Sequence, residues 1–317
     1  MFLEESLLDI VNQMHRIERG KRLLATLALC AFALSPSAAL ADCLGMALHS
    51  HRGSDAAPEN SLSAVRLALD GNWDGVEIDI QQLRDRQWVL HHDPRLGRTT
   101  SLQGRMVRDI DSNAWREVRL RDRRGRLVGE HAPFLGEVLE AVAARSDKVL
   151  NVEIKQINGS CEAAQQAAAE LSRGLPGGHW FLTAIDRRQL QCIRRFDPDV
   201  YLGQIVLDGQ ALARKTGLRP SSFRVPPTVL DSAWLQRMQR EVGGPVGVHV
   251  DINTLKANPN LLADAGALNM AVFTYHLGPD KEHAAALSAY ASRSGLLPSG
   301  AIIDGNATAF CNLISSR

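Results

Sequence analysis

The sequence lacks a charge imbalance. Its 317 residues carry 36 Lys and Arg against 35 Asp and Glu, which gives a formal net charge of +1. A protein that holds DNA or RNA needs a strongly basic surface, because contacts with the phosphate backbone supply much of the affinity. Nucleic acid is therefore not an expected partner. Intrinsic disorder is excluded as well, since 45% hydrophobic residues provide enough apolar surface for a folded core.

The N-terminal apolar segment is too short to span a bilayer. Leu23 to Leu34 is 12 residues long, whereas a membrane-spanning helix needs about 20. It follows a basic stretch and precedes the small residues Ala39 and Ala41, an order typical of a secretory signal. We expect residues 1–41 to be a signal peptide cleaved before Asp42, with export to the periplasm or the medium and no stable membrane anchor. A retained anchor is the alternative, and a start at Met14 would give a more compact basic region.

Cysteine is scarce, and no C-x-x-C spacing points to zinc or to thiol redox chemistry. Of the five cysteines, Cys30 lies in the signal, which leaves four in an oxidising compartment. Three disulfide pairings are open. If the chain forms a closed barrel, Cys43 before the first strand and Cys311 near the end would be neighbours, leaving Cys161 with Cys192. Four buried free thiols are the alternative.

Tandem repeats, low-complexity tracts and linkers are absent, and one domain over residues 42–317 is expected. From residue 44 onward short apolar strands alternate with segments of helical period, a pattern typical of parallel strands covered by helices. The strand candidates are Leu44 to Leu48, Gly75 to Ile80, Trp88 to His91, Val149 to Ile154, Trp180 to Ala184, Tyr201 to Leu207, Val246 to Val250, Met270 to Tyr275 and Ala301 to Ile303. The helix candidates are Ser61 to Asp70, Phe134 to Ala144, Cys161 to Arg173, Arg187 to Arg195, Ser232 to Arg240, Asn258 to Ala265 and His283 to Ser294.

The nine strand candidates are one more than an eight-stranded α/β barrel contains. Gln81 to Gln87 is too short for a parallel crossover, so Trp88 to His91 should return as the second arm of a β-hairpin. The fold class is therefore α/β, a TIM-type (β/α)8 barrel with a β-hairpin excursion. Residues 111–131 are polar and Arg-rich and should form a further excursion. A two-domain open sheet is the alternative.

Acidic side chains follow the strand pattern in the first half of the chain. Glu77 and Asp79 are two residues apart in one strand and share a face, and Glu153 lies in another strand. A barrel brings such positions together at one mouth, where its active sites lie. Three carboxylates gathered there would repel one another unless a cation joins them. Oxygen ligands of this kind favour Mg²⁺ or Ca²⁺ over zinc.

Two histidines are expected at the same mouth. His51 and His92 each follow a strand candidate, and such a pair suits a reaction in which one group removes a proton and another delivers one. Phosphodiester cleavage needs this pair and positive charge on the non-bridging oxygens, which Arg52 and Lys155 would supply. Each motif alone is compatible with a turn or an exposed ion pair. Their combination in this order favours a catalytic site.

In these residues the chain resembles the glycerophosphodiester phosphodiesterase family, whose barrel is of the phospholipase C-like kind. The matching motifs are His51-Arg52-Gly53, Pro58-Glu59-Asn60-Ser61, Glu77-Ile78-Asp79, His92-Asp93, Arg98-Thr99-Thr100 and Glu153-Ile154-Lys155. The resemblance implies hydrolysis of a small glycerophosphodiester to glycerol 3-phosphate and an alcohol, with His51 and His92 as acid and base. It also implies one divalent cation, Ca²⁺ or Mg²⁺, on Glu77, Asp79 and Glu153.

The resemblance further implies that Arg52 and Lys155 bind the phosphate, while Glu59 and Asn60 brace the first loop. The chain departs from the family pattern near its C-terminus, where it has Phe273-Thr274-Tyr275-His276 and Ile303-Asp304-Gly305-Asn306. We expect both segments on the alcohol side of the site. His91 should face away from His92 and be structural.

Two rival functions stay open. One keeps the barrel and changes the substrate, as in a phospholipase D-type enzyme or a cyclising phosphodiesterase that acts on lipids. The other is a non-catalytic periplasmic protein that binds a phosphorylated ligand. Lys155, two residues after Glu153, favours the glycerophosphodiesterase, and no apolar loop suited to lipid is evident in the sequence. The oligomeric state is not predicted.

Overall fold

A computed structural model describes residues 43–145, 147–155, 159–209 and 228–315 of the chain. The expected signal peptide and its cleavage site lie outside these residues. The strands are β1 Ala47–Ser50, β2 Gly75–Gln82, β3 Trp88–Leu90, β4 Arg119–Arg121, β5 Leu127–His131, β6 Val149–Ile154, β7 Trp180–Ala184, β8 Leu202–Val206, β9 Val246–Asp251, β10 Val272–Tyr275 and β11 Gly300–Ile303. The helices are α1 Leu62–Asp70, α2 Ser112–Arg116, α3 Leu135–Ala143, α4 Cys161–Gly174, α5 Arg187–Phe196, α6 Ser232–Val242, α7 Ile252–Ala257, α8 Leu261–Ala267, α9 Asp280–Ser294 and α10 Ala307–Ser315.

Eight of the strands form a closed parallel barrel in the order β1-β11-β10-β9-β8-β7-β6-β2. Closure comes from pairing between β1 and β2, where His49 is the register partner of Gly75. A ninth strand of the same sheet, β3, pairs antiparallel with β2, so that Leu90 lies opposite Ile80. The TIM-type barrel and its β-hairpin are thus confirmed, and the two-domain open sheet is wrong.

The predicted bounds of β6 and β7 are those of the structure, but the first strand begins later than predicted. Leu44 and Gly45 have φ angles of 58° and 83°, and a turn closed by the Cys43–Met46 bridge precedes β1. Leu44 is 52% exposed, so its side chain belongs to this turn and not to the barrel. Because Leu44 is hydrophobic, the prediction wrongly included this turn in the first strand.

The helix predicted over Asn258 to Ala265 corresponds to α8, which begins later, at Leu261, and a short helix that was not predicted, α7, comes before it. Asn258 causes the break between the two helices. Its side-chain amide donates to the carbonyl oxygens of Thr254 at 2.8 Å and Thr228 at 2.7 Å, and its Oδ1 accepts from the backbone N–H of Leu230. The Asn side chain here replaces the helical hydrogen bonds that would continue α7.

The polar segment over residues 111–131 forms an excursion, as expected, and it contains regular structure. It holds α2 and the antiparallel pair β4–β5, in which Arg121 lies opposite Leu127. A separate apolar cluster anchors this excursion to the barrel, with Trp115 fully buried at its centre. The arginines of the segment therefore lie on the surface of a folded substructure.

Two disulfides join the four described cysteines. Cys43 pairs with Cys311 at a Cα separation of 5.3 Å, and Cys161 pairs with Cys192 at 5.1 Å. This is the pairing expected for a closed barrel. The first bond ties the segment before β1 to α10, and the second ties α4 to α5. Within the described ranges, no helix has both the length and the apolar character that crossing a bilayer requires.

Aromatic rings fill the lower barrel interior. Phe181 and Phe273 lie 5.8 Å apart between ring centroids, and both contact His49. Glycines on neighbouring strands provide the space. A Cβ on Gly300 would lie 2.3 Å from a ring carbon of Phe273, closer than real Cβ contacts allow. This ring layer, His49, Phe181 and Phe273, closes the barrel below the predicted site.

Candidate active site

Two buried carboxylates, Glu77 and Asp79, and the partly buried Glu153 meet at the barrel mouth. Asp79 on β2 and Glu153 on β6 are register partners, and Glu77 lies two residues before Asp79. One carboxylate oxygen from each residue falls within 4.8 Å of the others. Burial, followed by the charges of Asp79 and Glu153, raises the pKa of Glu77 well above its usual value. The strand alternation in the sequence therefore predicted the cluster correctly.

Two cations and an amide hold Asp79. Arg52 Nε lies 3.1 Å from its Oδ2 and Lys155 Nζ lies 3.6 Å from its Oδ1, while Asn60 Nδ2 donates to Oδ2 at 2.8 Å. Burial by itself would raise the pKa of Asp79, but the charges of Lys155 and Arg52 outweigh it and lower the pKa far below the usual value. Asp79 is therefore ionised in the folded protein.

The cluster fits a divalent cation. The cluster has three carboxylates, but only two protein cations, Arg52 and Lys155, form ion pairs with Asp79 among the described residues. An uncompensated negative charge in a buried site costs several kcal/mol, on the order of the penalty for desolvating an ion, and a bound metal ion would remove it. The donors are all oxygen, the set that Mg²⁺ and Ca²⁺ prefer.

His51 follows β1 and is oriented by a distant carboxylate. Its Nδ1 lies 2.8 Å from Oδ1 of Asp304, which follows β11. Arg123 Nη2, from the β4–β5 turn, lies 3.9 Å from the same oxygen. Burial raises the pKa of Asp304, but the hydrogen bond and charge of His51 outweigh it, so the pKa is lowered. An Nδ1–H bound to Asp304 leaves Nε2 of His51 for chemistry.

His92 follows β3 and has the same arrangement with its neighbour in sequence. Its Nδ1 lies 2.7 Å from Oδ1 of Asp93, and Arg98 Nε donates to Oδ2 of Asp93 at 2.6 Å. Arg98 also donates twice to Glu59, at 2.6 and 2.8 Å. Although burial raises the pKa of Glu59, the bonds from Arg98 and the charge of Arg52 lower it to about 2. Glu59 thus braces the His92 side of the site through Arg98, and it contacts the first loop through Arg52.

Arg52 lies in a strained loop. Its φ is 58°, and Gly53 follows with a φ of 81°, where a Cβ would lie 2.7 Å from the carbonyl carbon of Ala64. The Arg52 backbone N–H donates to Glu77 at 2.9 Å, and its Nη1 donates to Glu59 at 3.0 Å. The conformation therefore places both the backbone and the guanidinium of Arg52 against the acidic cluster.

Lys155 follows β6 and its Nζ lies 2.8 Å from Glu153 Oε1. Burial opposes a charged amine, but Asp79 and Glu153 outweigh it and raise the pKa of Lys155 above its usual value. Lys155 and Arg52 both border the cavity described next. The two cations predicted to bind phosphate are therefore beside the carboxylates, already engaged in ion pairs.

A cavity of about 640 Å³ opens over these residues. The predicted site residues on its lining are His51, Arg52, Glu77, His92, Glu153 and Lys155. Asp79 lies behind them, 1% exposed. The lining also includes the apolar side chains of Ile185, Ile205, Leu207, Leu277 and Ile302. All seven predicted site residues thus converge on one place, and six of them border the space that a substrate would occupy.

Sequence reasoning missed the two carboxylates that orient the histidines. Asp93 was interpreted only as part of a motif, and Asp304 was expected on the alcohol side, whereas it binds His51. Phe273, expected on the same side, belongs instead to the ring layer. His91 turns away from the cavity as predicted, with its ring 6.2 Å from that of Trp115, and burial lowers its pKa to about 4.

The family model for the glycerophosphoryl diester phosphodiesterase family matches residues 51–290. A glycerophosphodiester phosphodiesterase of Bacillus altitudinis is 35% identical over 102 residues, covering 31% of this chain and 40% of that protein. One of Caldanaerobacter subterraneus subsp. tengcongensis is 35% identical over 107 residues, covering 33% of this chain and 43% of that protein. The chain thus spans less than half the length of these curated relatives.

Solved structures share the fold. A putative glycerophosphoryl diester phosphodiesterase from Silicibacter pomeroyi superposes with a TM-score of 0.67 at 20% identity, covering 85% of this chain and 92% of that one. An Oleispira antarctica phosphodiesterase, solved with its product sn-glycerol-3-phosphate, gives a TM-score of 0.63 at 20% identity, covering 84% and 96%. At this identity the likeness establishes the barrel architecture.

Proposed function

The chain belongs to the glycerophosphoryl diester phosphodiesterase family, and from this premise we propose that it hydrolyses glycerophosphodiesters to glycerol 3-phosphate and an alcohol. The observation that carries the proposal is the convergence of two carboxylate-bound histidines and the acidic cluster on one cavity. A protein that only bound a phosphorylated ligand would need the cations but not two oriented proton-transfer groups.

His51 and His92 are the proposed acid and base. With each Nδ1 held by a carboxylate, each Nε2 is left to exchange a proton with the substrate. One histidine takes the proton from the glycerol 2-hydroxyl as that oxygen attacks phosphorus, and the other protonates the departing alcohol oxygen. Water then opens the resulting cyclic phosphate with the two proton transfers reversed.

Glu77, Asp79 and Glu153 would hold one divalent cation, Ca²⁺ or Mg²⁺. Bound there, the ion would supply positive charge against the non-bridging phosphate oxygens. Arg52 and Lys155 add fixed positive charge at the same place, and their ion pairs with Asp79 keep them oriented before substrate arrives. The negative charge that develops on the phosphate is thereby met by groups already in position.

A lipid substrate is the second candidate, because the cavity lining includes apolar side chains that a small polar diester does not need. Ile185, Ile205 and Ile302 line the cavity, and so does Leu277, which is 42% exposed. A phospholipase D-type reaction on a lysophospholipid would place the acyl chain there. The same acid-base pair would serve both reactions.

Purified residues 42–317 incubated with Mg²⁺ or Ca²⁺ distinguish the two candidates. We expect glycerol 3-phosphate to appear from glycerophosphocholine, with a lower kcat/KM for choline release from lysophosphatidylcholine. A higher kcat/KM for the lysophospholipid would make the lipid reaction the main activity. No turnover of either substrate with either cation would refute the proposed function.

We also propose that the protein is exported to the periplasm or the medium. Residues 1–41 would be the signal peptide and residues 42–317 the mature domain. The support for export is that all four cysteines of the expected mature chain are paired, since such disulfides persist in oxidising compartments. N-terminal sequencing of the protein recovered from a secreting host should begin at Asp42. A mature protein that begins at Met1 or Met14 would contradict cleavage.

A further inference from the structure

Three polar side chains form the bottom of the cavity, between the acidic cluster and the ring layer. We call Asn151, Thr183 and His249 the cavity floor. All three border the cavity, and they are 0%, 1% and 1% exposed respectively. Both amide atoms of Asn151 and both ring nitrogens of His249 have no hydrogen-bond partner among the described residues. The cavity floor therefore contains buried donors and acceptors that no described residue pairs.

Leaving such groups unpaired is costly. A buried polar group without a partner destabilises the folded protein, and folded proteins pair nearly all such groups. A leucine at position 151 has the same branching and the same number of side-chain heavy atoms and would avoid that cost. The amide at Asn151 is thus hard to explain by folding, whereas a ligand hydroxyl would pair with it.

Packing fixes the orientation of the His249 ring. The ring stacks on Phe273 with 4.8 Å between centroids and 14° between planes. Its edge lies over Gly203, where a Cβ would be 2.5 Å from Nε2 and 2.7 Å from Cγ2 of Thr183. His249 and Thr183 therefore share the space above Gly203. Burial lowers the pKa of His249 to about 3, so the ring is neutral and offers one donor and one acceptor.

Asn151 connects this floor to the proposed reaction centre. It is the register partner of Glu77 on β2 and precedes Glu153 by two residues on β6, so its side chain lies on the same face as both. A group bound to Asn151 is therefore next to the acidic cluster. The cavity floor carries no charge, which suits hydroxyl groups and does not suit phosphate or an ammonium group.

The shape of the cavity decides which part of the substrate reaches the floor. The ring layer closes the barrel below the cavity floor, so the space there is fixed. The part of the substrate that is the same in every diester can fit this space. The alcohol, which differs from one diester to another, must point to the open mouth. In glycerophosphodiesters the constant half is glycerol. Resting on the proposed function, we infer that the cavity floor binds the free terminal hydroxyl of the substrate's glycerol moiety through Asn151 and His249, and so selects glycerol phosphodiesters.

The inference is tested by removing that hydroxyl from the substrate. The analogue is the phosphocholine diester of propane-1,2-diol, which keeps the hydroxyl that attacks phosphorus and lacks only the terminal one. We expect the wild-type protein to have a kcat/KM at least about 100-fold lower for this analogue than for glycerophosphocholine, because a buried site built for a hydroxyl rejects a substrate that leaves it unpaired.

The variant Asn151→Leu should lose most of this preference, bringing the two kcat/KM values within about tenfold, mainly through a lower value for glycerophosphocholine. Its melting temperature should equal or exceed that of the wild type, since an apolar group replaces an unpaired amide. Asn113→Leu, at an exposed position on α2, is the matched control and should keep the wild-type preference. His249→Leu repeats the test at the second floor residue.

Each outcome bears on a different claim. Equal kcat/KM values of the wild-type protein for the two diesters would overturn the inference and leave the proposed function standing. A full preference retained by both Asn151→Leu and His249→Leu would also overturn it. If the wild-type protein hydrolysed neither diester, the inference and the proposed function would fail together.

Discussion

The Nδ1 atom of His51 lies 2.8 Å from Oδ1 of Asp304, a residue 253 positions later in the chain. The contact exists because β1 and β11 are neighbours, with Ser50 the register partner of Ile303, so that the next residue of each strand meets at the barrel mouth. His92 obtains an equivalent partner, Asp93, from its own sequence neighbour. Two different routes through the fold thus give each histidine a carboxylate partner at Nδ1.

The first prediction concerns Asp304. We expect Asp304→Asn to lower kcat for glycerophosphocholine at least about tenfold with little change in KM, because the amide no longer holds His51 in one tautomer and orientation. Asp109→Asn, at a half-exposed surface position, is the control and should leave kcat unchanged.

The effect of Asp304 should operate through His51. In a His51→Ala background, Asp304→Asn should therefore cause no further loss, because residues that act as one unit are not additive. A full additional loss in the double variant would show that Asp304 acts independently of His51.

The second prediction concerns the acidic cluster. Chelation should abolish turnover, and Mg²⁺ or Ca²⁺ should restore it. The restoring cation should also raise the melting temperature, since an ion that binds only the folded state stabilises it. Glu77→Gln should lose both responses, whereas Glu162→Gln, an exposed residue on α4 paired with Arg86, should keep them. A melting temperature that is insensitive to both cations would contradict binding at this cluster.

The third prediction compares the two disulfides. Cys43 and Cys311 are 268 residues apart, whereas Cys161 and Cys192 are 31 apart. A crosslink across a longer loop removes more entropy from the unfolded chain, so the paired Cys43→Ser and Cys311→Ser variant should lose more unfolding free energy, within about 2–5 kcal/mol. Chemical denaturation of the two double-serine variants checks this order. A larger loss from the shorter loop would contradict it.

The fourth prediction concerns acid stability. Burial lowers the pKa of His49 to about 4, and lowers those of His249 and His283 to about 3. The unfolded chain therefore binds more protons than the folded one between these values and 6.5, so stability should fall as pH drops below about 6.5. Each such histidine contributes at most about 1.4 kcal/mol per pH unit.

His283 allows a direct check, because its Nε2 lies 3.0 Å from Thr274 Oγ1 and its ring contacts Phe310 rather than the cavity. His283→Gln keeps a polar partner for Thr274 without a titrating group. Unfolding free energies measured from pH 7 to pH 5 should fall less steeply in this variant than in the wild type. Parallel slopes would contradict the assignment of a neutral buried His283.

Local sequence patterns predicted the parts of the site that depend on a single strand. Alternation places Glu77 and Asp79 on one face, and the short connection after β2 predicts the hairpin that brings His92 back to the mouth. The role of Asp304 depends on barrel closure between distant strands, which no local pattern contains. For the same reason the sequence did not reveal that Asn151 lies unpaired at the bottom of the cavity.

The polar sequence of residues 111–131 also gave no sign of the helix and the two strands that this excursion contains. Trp115 and Val118 bury themselves there against residues contributed by the barrel hairpin, among them Val89. The apolar side of α2 is too short to produce a recognisable period, since the helix has only five residues. Burial of a few widely spaced side chains therefore determines the structure of this segment.

The most direct measurement of the central claim is the turnover of glycerophosphocholine by His51→Ala and His92→Ala, each purified as residues 42–317 and assayed with the activating cation. Because each histidine is proposed to transfer a proton in the transition state, kcat should fall by several orders of magnitude, at least about 10³-fold, in either variant. Circular dichroism should confirm that both variants fold. Wild-type turnover in both folded variants would contradict acid-base catalysis by His51 and His92.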